Sequence, residues 1–164
     1  MGMRARGVEM DNRAELTDSP RERLPVFVYG TLRCGEPNHR ILAGSPIAIE
    51  AGVLDGADMY AAAFPYVTPG AGSVVGEVVW IDPDRYDETM ARLDHLEGYR
   101  GPDRSNHYDR HTVTVTTDAG ELVSVWVYFA GRLVEPDRYP LVAGGDWIAY
   151  RRSAAGSRRV VGVA

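Results

Sequence analysis

The stretch Glu121 to Phe129, ELVSVWVYF, constrains the fold more than any other part of the chain. Successive side chains of an extended strand point to opposite faces. Here both faces are apolar, with Val123, Val125, Val127 and Phe129 on one and Leu122, Trp126 and Tyr128 on the other. A strand with one wet face alternates apolar with polar residues, whereas one that is apolar on both sides must be covered on both. A closed or strongly curved sheet supplies that cover. The run HTVTVTT precedes it across Asp118-Ala119-Gly120, so the two segments read as a hairpin.

The rest of the chain supplies further strands and one clear helix. PVFVY (Pro25 to Tyr29) is short, apolar and rich in β-branched and aromatic residues, and Gly30 ends it, as in a buried strand feeding a turn. Pro37, Asn38 and the Ile-Leu pair before Gly44 predict a short helix or turn. A second strand is expected over Ile47 to Leu54 and a third over Ser73 to Ile81, with Gly76 at a bulge or close approach. Gly70-Ala71-Gly72 lacks the lysine and following helix of a phosphate-binding loop and reads as a hairpin turn.

Asp82-Pro83 opens the helix, with Asp82 able to cap free amides and Pro83 suited to the first helical position. Tyr86, Met90, Leu93 and then Leu96 or Glu97 recur at spacings of four and three, and Gly98 suits the residue just past the end. These elements predict an α+β fold, a small and mostly antiparallel β-barrel with peripheral helices.

A chain of 164 residues fits one domain, taken here as residues 24–150. Residues 1–23 are polar and aperiodic and are expected to form a disordered tail; residues 151–164 form an Arg-rich C-terminal extension. A net charge of -5 argues against nucleic acid as a partner. No window approaches the ~18 apolar residues of a membrane span. The first 23 residues carry charges and no apolar core, so they are not a secretory signal. A cytoplasmic enzyme or binding domain is expected, as a monomer or homodimer.

The candidates for chemistry are few. His107 and His111, if on one strand, would lie roughly 13 Å apart, too far for a single zinc; no metal is expected. Cys34 is the single cysteine, placed in a loop between Arg33 and Gly35, and lone cysteines more commonly act as small hydrophobes than as nucleophiles. Glu97 is more informative, because a glutamate in the last helical turn faces the negative end of the helix dipole. It also follows the apolar stripe closely enough to point inward. Both effects raise a carboxyl pKa toward the range of a general acid or base. Tyr29-Gly30-Thr31-Leu32 runs from a strand into a glycine turn, where backbone N–H groups can cradle an anion.

VFVYGTLRCGEPNHRIL (Val26 to Leu42) resembles the opening of the γ-glutamylcyclotransferase-like, or AIG2-like, family, and is closest in motif to γ-glutamylamine cyclotransferases. LDHLEGY (Leu93 to Tyr99), YDRHTVTV (Tyr108 to Val115), VWVYF (Val125 to Phe129) and GGDW (Gly144 to Trp147) continue the similarity in order. Cys34 stands where the amine-cyclotransferase pattern often carries a second basic residue. The resemblance implies the same small barrel, with Glu97 as acid/base. It further implies that Tyr29, Gly30, Thr31 and Leu32 hold a γ-glutamyl substrate, and that Tyr108 and Tyr128 line the cavity. The implied reaction needs no cofactor: the substrate's α-amine attacks its own γ-carbonyl, releasing 5-oxoproline and a free amine. A non-catalytic module that binds a small metabolite on the same barrel is the alternative, and a scaffold that recruits partners through the acidic surface and Arg-rich end is a third reading.

Overall fold

The protein is described by a computed structural model over residues 22–159. The expected hairpin is present: β4 (Tyr108–Thr117) and β5 (Leu122–Ala130) pair antiparallel, from Tyr108 opposite Ala130 to Thr116 opposite Leu122. Gly120 turns the corner at φ +80°, in the left-handed region that favours glycine. The other strands are β1 (Val26–Val28), β2 (Pro46–Ala61) and β3 (Pro65–Ile81). Together the five close into a barrel in the order β1-β3-β2-β4-β5. Every pairing is antiparallel except the closure, where Val26 lies parallel to Trp126 and the Trp126 amide donates to Pro25 C=O at 2.9 Å.

Closure explains one apolar face of β5, and a helix explains the other. Val125 and Val127 are fully buried in a cluster that draws on all five strands, with Phe27, Leu54, Val78 and Val115 among its members. Tyr128 and Trp126 face outward, into a second cluster capped by α1 (Tyr86–Glu97), which contributes Tyr86, Met90 and Leu93. Leu122 departs from the expectation of burial: at the start of β5, beside the hairpin tip, it is 75% exposed.

β2 and β3 are longer than their apolar runs suggest. Gly70-Ala71-Gly72, read as a hairpin turn, instead lies inside β3, and the real turn is Ala62 to Phe64. The register slips between Asp55 and Ala57, at a bulge where Gly56 takes φ +75°. The Asp58 carboxylate then accepts the Gly72 amide at 2.9 Å. A Cβ at Gly70 would lie 2.0 Å from that carboxylate, so these glycines mark close packing rather than a reversal. Gly76 is likewise a close approach, with its absent Cβ 2.5 Å from Phe27 Cζ.

Asp82 accepts the Asp84 amide at 2.9 Å, and Pro83 opens a 3₁₀ turn (Pro83–Arg85) that leads into α1. Gly98, at φ +66°, ends the helix. A second helix, α2 (Trp147–Arg159), runs through the boundary expected at residue 150. Its first amides, Ile148 and Ala149, donate to the Asp146 carboxylate, and Trp147 anchors it in the barrel cluster. The first 21 residues of the expected N-terminal tail and residues 160–164 lie outside the described residues.

Candidate active site

The helical period decides which way Glu97 points. Leu93 is fully buried, and a residue four further on returns to nearly the same face. Glu97, not Leu96, therefore continues that face and is half-buried there, and Leu96 is left 38% exposed at its edge. Gly98 stops the helix immediately afterwards, so the carboxylate sits at the end of α1 and opens into a cavity of about 160 Å³. Among the described residues no cation or hydrogen-bond donor pairs with it. Burial without compensation raises its pKa from 4.5 to about 7.

The opposite wall is the turn that follows β1. Gly30 passes so close to β3 that a Cβ would meet Pro65 Cγ at 2.6 Å. From there the chain turns on an Arg33 N–H bond to Gly30 C=O at 3.1 Å. Asn38 holds the turn from below, its amide donating to Thr31 C=O at 2.9 Å and its side chain to Thr31 Oγ1 at 3.0 Å. Arg33 ties the far side to Glu77 of β3 and to Asp146 at the start of α2. Among the described residues, the amides of Gly30, Thr31 and Leu32 donate to no backbone carbonyl, and all three residues line the cavity.

Three phenols complete the walls. Tyr29 OH donates to Tyr128 C=O, Tyr108 OH to Pro65 C=O at 2.9 Å, and Tyr128 OH to Asp94 Oδ1 at 2.7 Å. With their protons committed, these hydroxyls offer lone pairs to a ligand. Burial pushes all three phenol pKa values well up, and the nearby Glu97 charge adds to this for Tyr29 and Tyr108. None of them can serve as a base near neutrality.

The residues expected to act on or hold the substrate, Tyr29, Gly30, Thr31, Leu32, Glu97, Tyr108 and Tyr128, all border this one cavity. Asn38, Phe64 and Leu96 also line it without having been expected there, as does His107, which the sequence offered only as a metal ligand. Asn38 belongs to the PNH motif, which gave a signal; Phe64 sits in an unpatterned AAAFP turn, which gave none. Cys34 does not line the cavity: it is exposed, its amide donates to Glu77 at 2.9 Å, and burial and Glu77 push its thiol pKa up. Its departure from the basic pattern therefore does not alter the walls. Among the described residues no group of three or more His, Cys, Asp or Glu is placed to hold a metal. No described helix is long and apolar enough to cross a membrane.

The closed five-stranded barrel is the fold of solved AIG2-like proteins: one from Mus musculus superposes with a TM-score of 0.55 at 24% identity, covering 75% of this chain and 88% of that one. Residues 26–149 match the gamma-glutamyl cyclotransferase, AIG2-like family, and the chain belongs to that family of enzymes. The gamma-L-glutamyl-butirosin B gamma-glutamyl cyclotransferase of Niallia circulans is 33% identical over 132 residues, covering 77% of this chain and 76% of the relative. The gamma-glutamylaminecyclotransferase of Bos taurus is 36% identical over 122 residues, covering 52% of this chain and 66% of the relative. Among solved structures, an uncharacterised protein of Pyrococcus horikoshii superposes with a TM-score of 0.58 at 27% identity, covering 81% of this chain and 97% of that one.

Proposed function

We propose that this chain releases 5-oxoproline and a free amine from a γ-glutamyl amide, with Glu97 as general acid/base. The observation that carries the reading is the unpaired Glu97 carboxyl, with a pKa raised to about 7, facing the free amides of Gly30 to Leu32 across one small cavity.

The substrate supplies its own nucleophile. Its α-nitrogen forms a bond to the γ-carbonyl carbon, closing a five-membered ring, and the bond from that carbon to the leaving nitrogen breaks. Intramolecular attack already carries a large proximity advantage, so the protein mainly has to fold the substrate into the reactive conformer. No serine, cysteine, metal or cofactor is required by this chemistry.

The α-ammonium must lose a proton before it attacks, and Glu97 in its ionised form accepts it. The departing nitrogen gains that proton from the same carboxyl, and the reionised Glu97 then carries the ring nitrogen's second proton to the free amine, leaving a neutral lactam and an ammonium. Amides of the Gly30 to Leu32 turn hold the substrate's negative oxygens, the α-carboxylate and then the oxyanion of the tetrahedral intermediate. Tyr108 and Tyr128 form walls whose oxygen lone pairs suit the α-ammonium. The substrates named for the two relatives above, gamma-L-glutamyl-butirosin B and γ-glutamylamines, support an amine as the leaving group.

The test is 5-oxoproline release by wild type and Glu97→Gln on a panel of γ-glutamyl amines and γ-glutamyl amino acids. Release by wild type that collapses in the variant is the expected result. Equal release by both would remove Glu97 from the mechanism. Binding without release across the panel would favour the non-catalytic binding module.

A further inference from the structure

We propose that the leaving-group side of the cavity is built for an apolar amine that carries no carboxylate, an arylalkylamine above all. The inference rests on the cyclotransferase reading and adds the class of the departing group.

The cavity has a floor and a mouth of different character. Phe27, Tyr29, Leu32, Tyr108 and Tyr128 are buried and form its depth, next to the amides proposed to hold the glutamyl oxygens. The exposed liners are Phe64, Leu96 and His107, and they form the mouth. Phe64 is 52% exposed although it is a large apolar side chain in a turn between two strands. A single exposed hydrophobe needs no explanation. Two that flank the same opening, with an imidazole beside them, make an apolar rim continuous with the site.

That rim is fixed by a set of rings behind it. His107 Nε2 lies 2.8 Å from Tyr66 OH, which sets the plane of the imidazole. The Tyr66 ring stands 5.5 Å from His107 and 5.8 Å from Tyr139, centroid to centroid. A flat ring carried by the leaving amine would meet further rings in the edge and tilted arrangements that aromatic groups prefer.

Charge excludes the alternative. Among the described residues no arginine lines the cavity, and Glu97 is the carboxylate among the liners. Arg33 is committed to Glu77 and Asp146, and Arg110 to Asp94. An amino-acid leaving group would bring a second carboxylate to a mouth whose described liners include no arginine, with His107 Nε2 already paired to Tyr66 OH at 2.8 Å and Glu97 close by. Set against apolar side chains and beside Glu97, that carboxylate would give up part of its hydration with no arginine partner to offset the loss.

The experiment compares kcat/KM for γ-glutamyl-phenethylamine and γ-glutamyl-phenylalanine, which differ by one carboxylate, with γ-glutamyl-methylamine and γ-glutamyl-cadaverine as references. The phenethylamide is expected to exceed the phenylalanine conjugate by about tenfold or more, the scale of one buried aromatic contact set against an unpaired charge. Phe64→Ala and, separately, Leu96→Ala should narrow the preference for phenethylamide over methylamide by about tenfold. Equal rates on the phenethylamide and phenylalanine conjugates would overturn the proposal. So would a best substrate with the cationic cadaverine tail, or a Phe64→Ala variant that slows the phenethylamide and methylamide alike. If nothing on the panel is turned over, the cyclotransferase reading fails, and calorimetric affinities for the same pair decide the mouth by themselves. Tighter phenethylamide binding would uphold the rim's preference, and equal binding would remove it.

Discussion

Helix α1 carries two carboxylates three residues apart in its final turns, and they have opposite surroundings. Asp94 accepts Tyr128 OH at 2.7 Å and Arg110 Nη1 at 2.8 and 2.9 Å. Arg110 in turn lies over the rings of Tyr99 and Trp126, at 5.0 and 4.9 Å from their centroids. Glu97 has no such partner and faces a cavity instead. Both stand near the negative end of the helix dipole, so the dipole does not separate them. The partners do. Asp94 locks the end of α1 to β4 and β5, and that lock holds Glu97 where no compensation reaches it. One carboxylate is satisfied so that the other can be left poised.

The sharpest way to break this comparison is to neutralise each in turn. Glu97→Gln should lower kcat by about 10²–10⁴-fold, the usual worth of a general acid–base group, with KM changed little. Initial rates of 5-oxoproline release check it. Asp94→Asn should act mainly on stability, because it leaves the Arg110 guanidinium half-buried without its anion. Breaking a fully buried pair costs about 3–5 kcal/mol. Here the two side chains retain 25% and 21% exposure, so solvent screening reduces the expected loss to about 2 kcal/mol. Urea unfolding measures it. A kcat loss in Asp94→Asn as large as that in Glu97→Gln would contradict the division of labour.

The pH dependence sharpens the contrast. Folding raises the Glu97 pKa from 4.5 to about 7, so between those values the folded protein keeps a proton that the unfolded chain has released. Stability contributed by this group therefore falls as pH rises through that window. Glu97→Gln removes the penalty, and the variant should match wild type near pH 4 and exceed it at pH 8. The displacement to about 7 caps the gain at roughly 3 kcal/mol. The proton acceptor is the ionised form, so kcat/KM of wild type should climb with pH and reach half its plateau near pH 7. A rising limb near the ordinary carboxyl value would mean that burial does not tune the group.

The sequence showed Glu97 for a physical reason and hid Asp94 for another. Glu97 interrupts an apolar stripe, and a charge at a periodic apolar position is visible in one dimension. Asp94 sits where an ordinary solvated helix residue would, and its partners Arg110 and Tyr128 are 16 and 34 positions away. The barrel was legible from β5 because both faces had to be covered, although it took the structure to show that one cover is the barrel interior and the other is α1. The turn in the Gly70 to Gly72 segment was misread for a related reason. Glycine signals reversal and close packing equally well, and only the position of Asp58 across the sheet separates the two. Phe64 follows no period, and Leu96 fits the helical spacing as well as Glu97 does, so nothing in one dimension ties either to the cavity mouth.

The smallest expected effect tests which partner holds Asp94. Tyr128→Phe removes one donor from the carboxylate and leaves both contacts from Arg110 in place. The phenyl ring still fills its place in the cluster it shares with Leu93 and Met90, so no cavity opens. A single hydrogen bond to a charged acceptor that keeps other partners should be worth about 1 kcal/mol, since the carboxylate is not stranded. Thermal unfolding should report that loss and KM should rise, because the hydroxyl also lines the place proposed for the α-ammonium, while the pH midpoint set by Glu97 stays close to wild type. If Tyr128→Phe instead shifts that midpoint, the two carboxylates are coupled through the Tyr128 side chain. Asp94 would then act on Glu97 by more than holding the helix end in place.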